Sequence, residues 1–483
     1  MANRNGKKTG SRGFGDIRAG FKSRGLNFHR ILAGFFWTTI LPRLVYTLAV
    51  AATAWLLGAA LPAAAQQTVT VVTSFPKELT EAYKKAFESK TPGTRLEVLN
   101  KNTTAGIAFV RETAVGSRPD VFWASAPDAF EVLAKDGLLT KYDGANKAVP
   151  AKIGAYPIND PEGFFYGQAL AGYGLMWNTR YLKANQLAEP REWADLIKPQ
   201  YFGHVATSSP SRSGTTHLTV ETILQGEGWA RGWAQLLQIA GNSAAITERS
   251  FGVPDGVSSG QYGIGLVIDF FGLAAKNSGF PVEFIYPSVT AIVPANIGLV
   301  AGAKNSEAGK KFIAFTLSDE GQDLLLNPKI SRLPVLPAIY AKAPKNYPNP
   351  FGGTIKAKVN FDSNLSEARY YLVVSLFDQM ITFRHKELQA ATKAIHDAAA
   401  KLAVKPNPQG LKLLVEAREL AFSPAVDETK ARDAGFLGVF RATKKTTEVT
   451  RQLSALEERW SSEAKKNYAR AAELAAQAGG FAR

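Results

Sequence analysis

The sequence predicts an α/β protein with a helical C-terminal extension, and three observations carry that prediction. From residue 68 onward, β-branched or apolar runs of strand length alternate with amphipathic segments of helical period, the pattern of a mostly parallel sheet flanked by helices. Beyond Tyr340 the composition changes, and Pro344, Pro348, Pro350, Gly352 and Gly353 mark a linker over 346–364. From 365 to 483 the pattern is helical, with Leu372, Leu376, Met380 and Phe383 on one face and a stretch rich in Ala, Glu, Lys and Arg over 453–478. Packing of that apolar stripe against the first part of the sheet is expected, with docking on a partner as the alternative.

At 483 residues the chain exceeds one ordinary core. Its net charge of +16 invites a nucleic-acid reading, but nine cationic side chains in residues 1–65, against Asp16 alone, carry half of it. The remainder is spread without a basic block, so no nucleic-acid track is expected. Residues 1–65 read as an export signal: a basic n-region, an apolar run over 44–61, and Pro62-Ala63-Ala64-Ala65 as a cleavage site ahead of Gln66. The competing reading is an uncleaved membrane anchor, since the apolar run is nearly long enough to span a bilayer. No Arg-Arg pair points to the twin-arginine route. Cysteine is absent, which excludes disulfides, thiolate metal sites, cysteine nucleophiles and a lipidated N-terminal cysteine together.

Taken in order, residues 68–73 form a buried strand, 78–89 a helix, 95–99 a strand, 107–115 a helix and 120–124 a strand. Ligands of such sheets bind beyond the carboxyl ends of the strands. Three loops sit there, offering Ser74 and Phe75, then Asn102, Thr103 and Thr104, then Ser125. A Gly-rich apolar strand containing Tyr166 follows over 164–177, and 205–207 read as a short strand. The loop 208–216 then opens a helix whose apolar period runs over 218–224. Unpaired N–H groups and the positive end of a helix dipole meet there with the hydroxyls of Ser209, Ser211, Ser213, Thr215 and Thr216, with Gly214, and with the Arg212 guanidinium. The composition suits an anion cradle. The plainer reading is an ordinary helix cap with Arg212 in solvent.

Three blocks resemble a known family. Residues 193–216, the block Gly174-Leu175-Met176-Trp177-Asn178-Thr179-Arg180-Tyr181-Leu182, and residues 294–305 with the helix through Gly321 are similar to segments of the periplasmic solute-binding proteins of bacterial ABC importers, of the type handling ferric iron, phosphonates and sugar phosphates. The resemblance spans residues 68–345 and implies a two-lobed, periplasmic-binding-protein-like α/β fold. Lobe 1 would comprise 66–168 and 285–345, and lobe 2 would comprise 169–284. It further implies a monomer in the periplasm, not membrane-spanning after signal cleavage, that captures a small anionic solute for an inner-membrane ABC permease. The three first-lobe loops and Tyr166 would supply ligand contacts. A tail over 365–483 looks like that of the phosphoglycerate transport regulatory proteins, which work with a membrane sensor kinase, so a sensor is the alternative partner.

Ferric-binding relatives carry two adjacent tyrosines where this chain has Phe270 and Phe271. Phenyl rings cannot ligate Fe³⁺, leaving His204 and His217 as the remaining donors, and no metal site is expected. Asp269, just before those rings, is read as an acceptor for a ligand hydroxyl or amine. Arg249 is a further candidate contact, and a salt bridge between the two is the alternative. No cofactor is expected. Pro210-Ser211-Arg212-Ser213-Gly214 lacks the first glycine of a nucleophile elbow and no Walker A sequence occurs, so a hydrolase using Ser213 and His217 is the weakest alternative.

Overall fold

The computed structural model describes residues 66–353, 355–441 and 446–482. The export-signal reading of residues 1–65 lies outside them.

A first wing of sheet is built from β1 (Gln67–Thr73), β2 (Thr94–Asn100) and β3 (Val121–Ala124), parallel in the order β2-β1-β3. Helices α1 (Lys77–Lys90), α2 (Thr103–Glu112) and α3 (Pro127–Lys135) alternate with these strands. The helix expected from residue 107 begins at Thr103, because the Asn102 side chain accepts the Ala105 N–H at 2.8 Å and caps it before the apolar period sets in. A hairpin of β4 (Lys152–Ile153) and β5 (Tyr156–Pro157) leads into β6 (Phe165–Asn178), which is buried at all 14 positions. A second wing contains β7 (Val205–Ser208), β8 (Ser243–Thr247) and β9 (Ile264–Ile268), with β7 parallel to both of the others. Helices α4 (Gly214–Glu227), α5 (Trp229–Asn242) and α6 (Gly252–Ser259) lie between these strands, and α7 (Asp269–Asn277) follows β9.

The wings share β6. Its first half pairs with β11 (Ile292–Leu299) and its second half with β9, while β10 (Val282–Ile285) and β12 (Leu333–Pro334) also lie against it. Every partner of β6 is antiparallel, so parallel pairing is confined to the wings. The chain crosses between wings on β6 and returns on β10 and β11, and that reversal of direction sets the pairing. On one face of the first wing Val69, Val71, Tyr83, Phe87 and Trp123 pack against Phe312 and Ile313 of α8 (Ser306–Thr316). Such burial is the main source of stability in a layered α/β protein.

The C-terminal region is helical: α9 (Ser363–Ala368), α10 (Tyr370–Met380), α11 (His385–Val404), α12 (Pro408–Phe422) and the 34-residue α13 (Thr447–Gly480). Leu372, Leu376 and Met380 are buried, whereas Phe383 falls in a 3₁₀ turn after α10 and is 53% exposed. The region touches both wings and not the first alone. Ser366 donates to Asp128 of α3 at 2.8 Å, and Lys135 pairs with Glu367 at 2.5 Å. On the second wing, Trp229 donates to the Val426 carbonyl at 2.7 Å and Gln389 to that of Ser243 at 2.7 Å. Among the described residues no helix is long and apolar enough to cross a membrane.

Candidate functional site

Where the wings face each other, strand ends and helix starts converge on a narrow, nearly filled cleft with about 10 Å³ of internal space. The first wing supplies Ser74, Phe75 and Pro76 from the end of β1, and Asn102 from the cap of α2. The second supplies Arg212, Ser213 and Thr215 at the start of α4, then Arg249 and Ser250, then Phe270 and Phe271 in the first turn of α7. The wings are in contact. The Gly214 N–H donates to Thr103 Oγ1 at 3.3 Å, Thr103 in turn bonds Ser74 Oγ at 3.4 Å, and Arg249 reaches Asn100 at 3.3 Å. A Cβ on Gly214 would lie 2.8 Å from both the Ala126 Cβ and Thr103 Oγ1, so glycine is what permits this approach.

Two guanidinium groups edge the cleft. Arg212 pairs with Glu248, and its side chain keeps 32% of its exposure. Arg249 lies 5.0 Å from the Phe251 ring centroid, and burial pulls its pKa down despite the pull of Glu248. Ser213 caps α4, accepting the Thr216 N–H at 3.1 Å. Of the first-turn N–H groups, that of Gly214 goes to Thr103, that of Thr216 to the Ser213 cap and that of His217 to the Ser213 carbonyl, which leaves the Thr215 N–H, on a residue that lines the cleft.

Other candidates are turned elsewhere. Thr104 meets the Tyr370 hydroxyl at 3.3 Å, and Ser209 donates to Asp378 at 2.7 Å and shares a 2.7 Å hydrogen bond with Ser211, so these three face α10 and not the cleft. Tyr166 donates to the Tyr142 carbonyl and accepts the Gly144 N–H at 3.0 Å, fixing a loop of the first wing. Thr216, in the first turn of α4, and Ser125, directly after β3, are buried. Asp269 is wholly buried, accepting from Gly172 N–H at 2.7 Å, Phe270 N–H at 2.7 Å and Tyr286 Oη at 3.0 Å. Those partners occupy the carboxylate, so it is neither a free ligand acceptor nor the partner of Arg249. Burial raises its pKa to about 6 against the pull of these three hydrogen bonds and of Arg332.

Arg332 is the residue sequence reasoning missed. It is wholly buried, donates to Ser125 Oγ, and lies 4.2 Å from the ring centroids of both Phe75 and Phe270. Burial draws its pKa down to about 10, with Asp269 opposing. The available signal was an arginine set in the apolar run Ile330-Ser331-Arg332-Leu333-Pro334-Val335. Both histidines considered as donors have other partners: His204 meets Tyr181 Oη at 2.9 Å and His217 meets Asp128 at 2.6 Å. Among the described residues no group of three or more His, Cys, Asp or Glu side chains could hold a metal ion.

Residues 117–355 match the bacterial extracellular solute-binding protein family. Over 377 residues the chain is 30% identical to the phosphoglycerate transport regulatory protein PgtC of Salmonella typhimurium, covering 77% of this chain and 89% of that protein. The first 353 residues hold less than that share, so the likeness runs into the C-terminal helices. In fold, the chain is similar to the periplasmic binding protein AfuA from Actinobacillus pleuropneumoniae, solved with fructose-6-phosphate bound (TM-score 0.59, 18% identity, 66% of this chain and 99% of that one). It is also similar to iron-bound HitA from Pseudomonas aeruginosa (TM-score 0.53, 18% identity, 64% and 98%).

Proposed function

The chain belongs to the bacterial extracellular solute-binding protein family, and from that premise we propose that it closes its two wings on a small anionic solute, a phosphate ester or a phosphonate. Proteins of this family are solute-binding proteins, periplasmic or extracellular, that serve a membrane transporter or sensor. The observation that carries the anionic reading is the convergence, on one cleft between wings in contact, of Arg212, Arg249 and the start of α4. A helix start and two guanidinium groups form a field for an anion, and the narrow cleft raises its strength by excluding water. In this reading lobe 1 is 66–168 with 285–345, lobe 2 is 169–284, and β6 with the return strands acts as the hinge. Closure changes the surface offered to a membrane partner, which is how occupancy is read.

The protein works as a periplasmic monomer and as a binder, not a catalyst. Ser213, the serine a hydrolase would use, is engaged as a helix cap, and His217 is turned to Asp128. An inner-membrane ABC permease is the first partner. One finding favours a sensor as the second reading: the 30% identical relative is named a transport regulatory protein, and the likeness includes the C-terminal helices. A thermal-shift screen of the exported protein against phosphorylated three-carbon compounds, sugar phosphates, phosphonates and ferric salts tests the ligand class, because a bound ligand raises the melting temperature by mass action. Stabilisation by a phosphorylated or phosphonate compound is expected. A response to ferric salts or to neutral sugars alone would reject the reading.

A further inference from the structure

Arg332 stands just ahead of β12, and its guanidinium is clamped between rings from opposite wings, Phe75 at the end of β1 and Phe270 at the start of α7. Nη2 donates to Ser125 Oγ, whereas Nε and Nη1 have no hydrogen-bond partner among the described residues. A guanidinium carries five N–H bonds, so the one on Nε and the two on Nη1 are unmet. Asp269 attracts the cation through space but makes no hydrogen bond to it, its oxygens being taken by Gly172, Phe270 and Tyr286. Burying a cation with donors unmet costs more than stacking on two rings returns. In native proteins such a group is completed by an ordered water, an ion or a ligand. Both clamping rings line the cleft, and the guanidinium they hold lies buried behind them.

We propose that Arg332 is a second anion receptor of this site, reading a carboxylate on the same solute whose phosphate lies at Arg212 and the start of α4. The proposal rests on the phosphate reading above and narrows the solute to a short phosphorylated carboxylic acid. A carboxylate is planar, takes two parallel N–H bonds from a guanidinium, and fits a slot between aromatic rings. A tetrahedral phosphate is bulkier and suits the positive end of a helix flanked by guanidinium groups.

Calorimetric titration of the exported protein with 3-phosphoglycerate, glycerol 3-phosphate and glycerate separates the two receptors. Wild type is expected to bind 3-phosphoglycerate roughly 10- to 100-fold tighter than glycerol 3-phosphate, which has a hydroxymethyl group in place of the carboxylate. Arg332→Met is expected to abolish that preference, to leave the affinity for glycerol 3-phosphate unchanged, and to leave the melting temperature of the ligand-free protein no lower. A purely structural arginine would lower it. Arg332→Lys keeps the charge without the fork and is expected to lose most of the preference, and it carries the test if the methionine variant does not fold. Equal wild-type affinity for the two phosphorylated compounds, or a preference that survives undiminished in either Arg332 variant, overturns the carboxylate receptor while the phosphate reading stands. Binding of glycerate alone overturns both.

Discussion

Asp269 follows β9 and opens α7 with a carboxylate that water does not reach. Its pKa rises from the ordinary 3.8 to about 6, so the folded protein holds this proton more tightly than the unfolded chain does. By linkage, the contribution of this group to stability is fully present below pH 3.8 and is lost as pH rises through about 6, each tenfold gain in proton affinity being worth about 1.4 kcal/mol. Asp269→Asn is therefore expected to flatten the change of melting temperature across that window, as calorimetry at a series of pH values would read. An undiminished slope would mean that the carboxylate stays ionised throughout. Residue by residue, the site was legible where a side chain serves its own turn: Asn102, Ser213 and Thr215 sit where local helix-start chemistry puts them. Thr104, Ser209 and Ser211 were not, because their partners Tyr370 and Asp378 come from a distant helix. Arg332 was invisible because its meaning lies in Phe75 and Phe270, far away in the chain.

Among the elements, the strands of both wings and the long apolar β6 were legible from composition, since β-branched runs between turn residues are a local signal. The antiparallel pairing around β6 was not, because alternation of strands and helices says nothing about a crossing that doubles back. The C-terminal helices were legible in period, but the surface they cover was not. α9 and α10 lie across both wings, and the junction residue Arg369 forms a bidentate pair with Glu221 of α4, at 2.9 and 2.7 Å, with side chains 2% and 0% exposed. Its guanidinium also lies 4.9 Å from the Trp229 ring centroid. Removing one partner of such a buried pair strands the other's charge, so Arg369→Ala is expected to cost about 3–5 kcal/mol in urea unfolding. Replacing both, as Glu221→Leu with Arg369→Met, should recover most of that loss. A mild single-variant effect would mean that water reaches Glu221 and that α10 is loosely held.

As a whole molecule, the protein is two wings that share one strand and touch across a cleft. Gly214 is a point of close approach, with no room for a Cβ between it and Ala126 and Thr103 of the first wing. Gly214→Ala is expected to hold the wings apart, weakening every ligand alike and leaving a larger radius of gyration by small-angle scattering at saturating ligand. An unchanged radius together with unchanged affinity would show that closure does not need this contact. The central claim is that the cleft holds a small anion at Arg212 and the start of α4. Calorimetric titration of the best phosphorylated ligand into wild type and Arg212→Ala tests it most directly, because one charge-assisted hydrogen bond is worth roughly 1.5–3 kcal/mol. The expected result is a roughly ten- to hundredfold loss of affinity at an unchanged melting temperature, with Arg212→Lys recovering only part of it. Equal affinity in wild type and Arg212→Ala would contradict the claim and leave the start of α4 as a helix cap alone.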